Sequence, residues 1–230
     1  MNIAQVQATN RLLGLLPEKE LGALLRHCAA VPLVPGKFLA EAVYFPLSGL
    51  IATLITTRSG KVMHTRLVGT EGGLGLESLA SSGARVQGAV LAAGQALQVA
   101  HSILQEACDH SHLVQVVRIR YCEFVTNYAY QSMACNALHS AKQRLCTWLL
   151  HAEDRLPNQA LPFTQELLAQ TLGLRRTTVT LIAKLLQNEE VLHYSRGNIH
   201  VTKRSALEAQ ACECYQITKS LLDRCLSGAS

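Results

Sequence analysis

The chain has 230 residues, of which 49% are hydrophobic and 16% charged, and its formal net charge is +5. This composition indicates a folded protein with one large domain or two modest ones, and it excludes an intrinsically disordered chain. The net charge is compatible with an anionic partner, although the positions of the basic residues are more informative than their sum.

The N-terminal residues contain no basic cluster followed by an uninterrupted apolar run, so they do not predict a signal peptide. The apolar stretches elsewhere are too short to span a bilayer. We therefore expect a cytoplasmic protein with no membrane partner. The eight cysteines fit that compartment as buried thiols, and because none forms a Cys-x-x-Cys pair we expect no metal site and no cofactor.

The first hundred residues change from a helical to a β-prone pattern along the chain. Residues 11–30 space their leucines at helical intervals, and Pro17 followed by two acidic residues is typical of a helix start. From residue 31 to about residue 100, short β-prone runs alternate with glycine-containing turns. This regular alternation of short strands and turns predicts a small antiparallel barrel or sandwich.

Residues 110–138 form one long predicted helix. Eight positions in it step by three and four residues, and seven of them are apolar or aromatic: Val114, Val117, Tyr121, Phe124, Tyr128, Gln131, Cys135 and Leu138. This repeat predicts a coiled-coil-like dimer interface, and the length of the helix favours that interpretation. The alternative is an ordinary amphipathic helix that packs on the barrel of its own chain.

The next segments carry helix-start signals. Ser140 and Gln143 have the spacing of a capping box, and Thr164 is a candidate N-cap for a later helix. From Gln165 onwards the chain fits the twenty-residue frame of a helix-turn-helix. Ala169 is small where the helices cross, Gly173 supplies the positive φ of the turn, and apolar residues occupy the inward positions.

The second helix of this frame begins with polar residues that its own core does not need. In helix-turn-helix proteins the start of that helix enters the major groove of double-stranded DNA, where arginine can read guanine and threonine can bond a base or touch a thymine methyl group. We expect base contacts from Arg176, Thr177, Thr178 and Thr180, and contacts to the DNA backbone from Thr164, Gln165, Arg175, Lys184 and Arg196.

Residues 191–201 predict two short strands around Gly197 and Asn198, with Arg196 at the tip. A hairpin directly after the recognition helix is a wing. One alternative is a ligand-binding or scaffold module whose winged domain contacts protein, but such a module would not require Arg176 and Lys184.

The order of elements, and above all the stretch from Phe163 to Val201, resembles the Crp/Fnr family of bacterial transcription regulators. The resemblance implies an α+β fold with an N-terminal antiparallel β-roll (a cyclic-nucleotide-binding-like jelly roll) at residues 1–109. A long dimerisation helix at 110–138 and a C-terminal winged helix-turn-helix at 139–230 would follow. It also implies a homodimer that reads a palindromic site, contacts RNA polymerase if it activates transcription, and responds to a small-molecule effector.

The effector pocket of the family corresponds to Gly75, Leu76, Glu77 and Arg85 in this chain. Cyclic-nucleotide binders carry Gly-Glu and then Arg-Ser or Arg-Thr there, whereas Gly75 is followed by Leu76 and Arg85 by Val86. We therefore expect an unknown effector other than a cyclic nucleotide. A cyclic-nucleotide-responsive regulator is the alternative.

The remaining patterns are weaker. His64 suggests a cupin-like metal-dependent barrel enzyme, but Arg66 stands where the second histidine would be, so no catalytic residue is predicted. Cys108, His110 and His112 are ligand types, but on a helix they do not share one face. Cys212 and Cys214 lie in a segment that we interpret as helical, with thiols that point apart and are buried against the winged domain.

Overall fold

The computed structural model describes residues 2–60, 62–78 and 87–227. They divide into two compact units. The first comprises Met1–Leu54, Arg66–Asn127 and Leu221–Ser230, and the second comprises Ile55–Thr65 and Tyr128–Ser220. The second unit thus contains the end of one β-hairpin together with the C-terminal helices. The division by sequence into 1–109, 110–138 and 139–230 stays a prediction.

The first unit begins with helix α1 (Ile3–Thr9), a short 3-10 turn (Leu13–Leu15) and helix α2 (Glu18–Leu25). Pro17 is the N-cap of α2 and Glu18 and Glu20 lie in its first turn, as the sequence predicted. Acidic groups there stabilise the positive end of the helix. The side chain of buried Asn10 donates to the carbonyl oxygens of Pro46 and Gly72, which ties the helical segment to the strands.

Seven strands follow in the order β1 (Ala29–Leu33), β2 (Phe38–Leu39), β3 (Val43–Pro46), β4 (Leu50–Thr56), β5 (Val62–Val68), β6 (Gln87–Ala92) and β7 (Gly94–Val99). They form a three-stranded sheet with the order β1-β7-β3 and a four-stranded sheet with the order β2-β6-β4-β5. The pairs β1–β7, β3–β7, β2–β6 and β4–β6 are antiparallel. This arrangement confirms the predicted antiparallel β domain.

The interior of the strand domain is filled by apolar side chains. The central cluster contains Leu33, Leu39, Ala42, Tyr44, Ile51, Val68, Leu74, Val90 and Ala96. Both sheets contribute to it, because alternate residues of each strand face the same side.

Two helices follow the strands: α3 (His101–His110) and the long α4 (His112–Leu138). A break at Ser111 separates them, so Cys108 and His110 belong to α3 while His112 opens α4. The helix predicted at residues 110–138 is confirmed with nearly those bounds.

The second unit contains α5 (Ala141–Glu153), α6 (Gln165–Leu172), α7 (Arg176–Asn188), strands β8 (Leu192–Ser195) and β9 (Asn198–Val201), and α8 (Arg204–Gln210). It also holds the first part of α9 (Cys214–Leu226). The predicted capping box is present. The Ser140 hydroxyl accepts from the backbone N–H of Gln143, and the Gln143 side-chain oxygen accepts from the backbone N–H of Ser140. Within the described ranges, no helix combines the length and apolar character that a membrane crossing requires.

Candidate nucleic-acid interface

Helix α6 begins and ends as the sequence predicts. Thr164 is its N-cap and accepts from the backbone N–H of Leu167 at 3.1 Å. Gly173 ends it in the left-handed region, with φ of 62° and ψ of 35°. A residue with a side chain is strained at this φ, so glycine permits the tight turn that leads into α7. The guanidinium of Arg144 donates to the Leu172 carbonyl oxygen, which the helix end leaves without an intrahelical partner.

Helix α7 has one buried face and one exposed face. Val179, Ala183 and Leu186 are buried at helical spacing, which fixes the rotation of the helix about its axis. The opposite face presents Arg176 and Thr177 in the first turn and Lys184 two turns later, all exposed. Because the inward positions are apolar, these polar side chains have no role in the core of the domain.

The same exposed face carries a large apolar side chain that sequence reasoning did not assign to the interface. Leu181 is 69% exposed on α7, one turn after Thr177. Because it lies on the face that carries Arg176, Thr177 and Lys184, Leu181 would be part of any surface that meets a partner there. The i, i+4 spacing from Thr177 is the signal in the sequence that points to this position.

Strands β8 and β9 form the predicted wing. Ser195 pairs with Asn198, so Arg196 and Gly197 are the two turn residues, with φ values of 49° and 80°. Positive φ at both positions is the signature of a type I′ hairpin turn. The turn lies one residue earlier than predicted, because Asn198 is already the first residue of β9. Arg196 is exposed at the tip.

The wing is attached to the start of α6. The Tyr194 hydroxyl accepts from the backbone N–H of Gln165 at 3.2 Å, and Leu161 pairs with Ile199 as a further bridge. This N–H is therefore used within the protein, so the expected contact of Gln165 with DNA must come from its side chain. That side chain accepts a hydrogen bond from the Thr180 hydroxyl at 2.6 Å.

The nine predicted DNA-contacting residues all lie in the second unit. Gln165, Thr178 and Thr180 are half-buried, whereas the exposed set is Arg175, Arg176, Thr177, Lys184 and Arg196, together with the capping residue Thr164. The arginines are therefore not enclosed by their own chain.

The predicted dimer seam on α4 needs correction. Val114, Tyr121, Phe124 and Tyr128 are buried in the chain itself, and Tyr121 has no exposed surface. The tyrosine hydroxyl of residue 121 instead donates to the Gly73 carbonyl oxygen and accepts from the Arg66 guanidinium. These four side chains are enclosed by their own chain, so this part of the repeat reflects packing within one chain. A dimer interface along α4 stays a prediction.

The other four seam positions fall into two groups, one that contacts its own chain and one that is at least partly exposed. The side chain of Gln131 donates to the Cys214 sulfur at 3.0 Å, and the Cys135 sulfur lies 3.5 Å from that of Cys212. These two residues therefore also face their own chain. Val117 is half-buried, and Leu138, the last residue of α4, is 78% exposed.

Three of the four residues of the predicted effector pocket lie in the described part of the chain. Gly75 has φ of 90°, Leu76 is buried, and the Glu77 carboxylate forms an ion pair at 3.3 Å with Arg66, whose side chain is 4% exposed. Arg85 lies outside the described residues. One oxygen of the Glu77 carboxylate is thus paired with a protein cation, and the other, Oε2, is buried without a hydrogen-bond partner among the described residues.

The structure also shows the surroundings of His64 and His110, the histidines considered as metal ligands. His64 Nδ1 lies 3.2 Å from the Thr171 hydroxyl within the second unit, and burial lowers the pKa of His64. His110 Nδ1 lies 2.8 Å from the Glu106 carbonyl oxygen. In the part of the chain that the structure describes, neither histidine belongs to a group of three or more metal-ligating side chains.

Comparison with known proteins agrees with this geometry. Residues 143–210 match the model of the Crp-like helix-turn-helix domain. No curated protein matches the chain. Among solved structures, FixK2 from Bradyrhizobium japonicum is 18% identical with a TM-score of 0.68, and the match covers 80% of this chain and 98% of that one.

Two further structures are similar. A putative transcriptional regulator of the Crp/Fnr family from Eubacterium rectale is 16% identical with a TM-score of 0.68, over 86% of this chain and 96% of that one. A Crp-family transcriptional regulator from Thermus thermophilus is 15% identical with a TM-score of 0.64, over 79% and 96%. Residues 143–210 therefore form a Crp-like helix-turn-helix domain, and the chain has the fold of the Crp/Fnr transcription regulators.

Proposed function

We propose that the chain is a homodimeric, sequence-specific DNA-binding transcription regulator without enzymatic activity, whose sensor domain responds to an effector other than a cyclic nucleotide. The observation that carries this proposal is the start of α7. It follows the left-handed turn at Gly173, and it exposes Arg175, Arg176 and Thr177 while its apolar residues are buried. An exposed cationic helix start of this kind fits the major groove.

The roles divide by chemistry. Arg176 can donate two parallel hydrogen bonds to the O6 and N7 atoms of guanine, and Thr177 and Thr178 can bond base edges. Leu181 offers an apolar surface to a thymine methyl group on the same exposed face. The exposed cations Arg175, Lys184 and Arg196 fit phosphate oxygens, which position the protein without reading sequence.

Homodimerisation through α4 has support on the face opposite to the buried one. Ile119, Tyr130 and Met133 are 52%, 65% and 68% exposed. At 3.6 residues per turn they fall within about 60° of one another around the helix. The buried residues Tyr121 and Phe124 lie roughly opposite. Two such helices packed along this stripe would form a dimer with two recognition helices, which suits a palindromic site.

An effector other than a cyclic nucleotide fits the first unit better. The main support is in the sequence, because Leu76 and Val86 stand where cyclic-nucleotide binders carry the carboxylate and the hydroxyl that hold ribose and phosphate. One oxygen of the nearby Glu77 carboxylate is paired with Arg66 at 3.3 Å. Apolar side chains fill the interior of the strand domain. The second candidate, a cyclic-nucleotide-responsive regulator, would require this ion pair to open.

The proposal is tested with genomic fragments bound to the purified, untagged chain, followed by footprinting of the enriched sites. We expect two protected half-sites separated by about 34 Å, one helical turn of DNA. Addition of cyclic AMP or cyclic GMP should leave the affinity unchanged. Equal retention of all fragments, or protection of a single half-site, would contradict the proposal. A contact with RNA polymerase is expected only if the enriched sites lie beside promoters that the protein activates.

A further inference from the structure

Four potential metal ligands meet in the second unit, at the end of α4 and the connection between α8 and α9. They are Cys135, His139, Cys212 and Cys214, and their ligand atoms all lie within 4.8 Å of one another. Cys135 and Cys212 have their sulfur atoms 3.5 Å apart, and the Cys214 sulfur lies 3.5 Å from His139 Nδ1. The cysteines are free thiols, buried at 212 and 214 and half-buried at 135.

The backbone explains why these side chains converge. Cys135 and His139 are four residues apart, and the backbone N–H of His139 still donates to the Cys135 carbonyl oxygen, so both side chains project from one face of the helix. Cys212 precedes α9 and Cys214 is its first residue. Because this segment is a break rather than a helix, the two thiols converge, in contrast to the divergence expected from sequence.

The distances fit one tetrahedral cation. Zinc binds cysteine sulfur at about 2.3 Å and histidine nitrogen at about 2.0–2.1 Å, so ligand atoms around a tetrahedral ion are separated by about 3.6–3.8 Å. The Cys135–Cys212 and Cys214–His139 separations of 3.5 Å lie close to this value. Three sulfurs and one imidazole nitrogen form a closed structural set, and thiolate ligands select zinc over magnesium or calcium.

Groups around the four ligands have the chemistry of an outer shell. His139 Nε2 lies 3.2 Å from the Glu213 carboxylate, which leaves Nδ1 directed at the thiols. Metal-bound histidines commonly donate their second ring N–H to a carboxylate in this way. Because this partner fixes the ring orientation, the Nδ1 lone pair is presented to the cation.

Two of the sulfurs have further polar partners. The Gln131 amide donates to the Cys214 sulfur at 3.0 Å. The Thr147 hydroxyl accepts from the Cys212 backbone N–H and lies 3.1 Å from the Cys212 sulfur, so its own proton can be donated to that sulfur. Hydrogen bonds from such donors stabilise the negative charge of thiolates.

We propose that Cys135, His139, Cys212 and Cys214 bind one zinc-class divalent cation, which clamps the end of α4 to the α8–α9 connection. Binding transfers the three thiol protons to solvent and forms three metal–sulfur bonds and one metal–nitrogen bond. This proposal is independent of the DNA-binding role. A disulfide between Cys135 and Cys212 is the competing arrangement, and it would leave His139 and Cys214 without a role.

The test uses the untagged full-length chain, purified under reducing conditions and analysed by elemental mass spectrometry. We expect about one zinc per chain. Exchange for cobalt(II) should give the visible absorption of a tetrahedral ion with thiolate charge-transfer bands. Metal-free chain that takes up neither zinc nor cobalt, cobalt spectra of an octahedral ion, or a Cys135–Cys212 disulfide in the purified protein would overturn the proposal. Iron in place of zinc would also overturn it.

Variants locate the site. Cys135→Ser and Cys214→Ser should each abolish the thiolate–cobalt bands, whereas Cys28→Ser, a matched half-buried thiol in the first unit, should retain them. Glu213→Gln should weaken zinc affinity by about tenfold, the lower end of the range for an outer-shell partner, because Glu213 is 69% exposed. Unchanged cobalt spectra in the Cys135 and Cys214 variants would contradict the assignment, and the native-chain spectra decide the matter if a variant fails to fold.

Discussion

The Thr180 hydroxyl lies 2.6 Å from Gln165 Oε1 and joins the two helices of the helix-turn-helix. This bond holds the first residue of α6 against the second turn of α7, and it directs the Gln165 amide nitrogen away from Thr180. This hydrogen bond therefore couples the position of a predicted phosphate contact to the recognition helix, whose rotation is fixed by its buried apolar face.

Replacing Thr180 with valine keeps the shape of the side chain and removes this bond, together with the alternative one to the Arg176 carbonyl oxygen at 2.9 Å. We expect Thr180→Val to lower the free energy of unfolding by about 1 kcal/mol, the usual net contribution of one hydrogen bond. DNA affinity should also fall severalfold, because Gln165 is no longer oriented. A double-mutant cycle with Gln165→Ala measures the coupling, and strictly additive effects of the two substitutions would contradict it.

Arg176 is predicted to read one base pair in each half-site. Arg176→Ala should cost about 1–3 kcal/mol of binding at that base pair and should relax the preference there, while other positions keep theirs. Competition binding with single-base variants of the site measures both effects. Arg26→Ala removes another exposed arginine, in the first unit, and is the control. A uniform loss of affinity at all sequences would instead make Arg176 a phosphate contact.

Lys184 is predicted to contact phosphate, because it is exposed two turns into α7, beyond the helix start that enters the groove. Lys184→Ala should weaken binding to all sequences by a similar factor. The slope of log affinity against log salt should become less steep by about 0.9, the value for one phosphate neutralised. Titrations at several salt concentrations with specific and random duplexes test this. A change confined to the specific duplex would contradict it.

The helix-turn-helix could be predicted because its constraints are local. Gly173 must take positive φ, Thr164 must cap α6, and Val179 must face inward, and each requirement leaves a mark within a few residues. The wing followed for the same reason. The turn consists of Arg196 and Gly197 rather than the predicted Gly197 and Asn198. The difference arises because Arg196 adopts a positive φ of 49°, which is uncommon for a residue other than glycine.

The seam on α4 shows the limit of periodicity. A repeat identifies which residues share a face, but it contains no information on whether that face meets its own chain or another. Tyr121 packs inward because its hydroxyl bonds both Arg66 and Gly73, and neither partner is near it in sequence. The stripe through Ile119 and Met133 on the other side has fewer apolar positions and was overlooked.

The four-ligand cluster was missed for a related reason. Cys135 and Cys212 are 77 residues apart, and only the folded chain brings their sulfurs to 3.5 Å. The one local signal was the four-residue spacing of Cys135 and His139 on a predicted helix, which places two ligands on one face. A search restricted to Cys-x-x-Cys pairs does not detect it.

Dimerisation is predicted to depend on the exposed stripe of α4. Met133→Glu should shift the chain from dimer to monomer, because the carboxylate would be buried between two apolar helices. Sedimentation velocity over a range of concentrations measures this. Ile55→Glu changes a similarly exposed apolar residue, 60% exposed on β4, and should leave the dimer intact. Equal dissociation constants for Met133→Glu and the native chain would exclude this stripe as the interface.

The stability of the second unit is predicted to fall in mild acid because of His151. Burial, followed by the nearby Arg155 charge, lowers the pKa of His151 to about 3, and its ring is packed against Tyr128 and Tyr215. The unfolded chain takes up this proton near pH 6.5, whereas the folded chain does so only near pH 3. The unfolded state therefore binds more protons in between, and stability decreases as the pH is lowered below about 6.5.

From this group alone, the free energy of unfolding should drop by about 2 kcal/mol between pH 7 and pH 5, and it should be independent of pH above about 7.5. His151→Gln retains a partner for the Thr218 hydroxyl, which lies 3.0 Å from His151 Nε2, and it removes the titrating group. Urea unfolding of this variant at a series of pH values should give a flatter curve. The control His193→Gln, an exposed histidine on the wing, should keep the native slope. Parallel curves for His151→Gln and the native chain would assign the acid sensitivity to other groups.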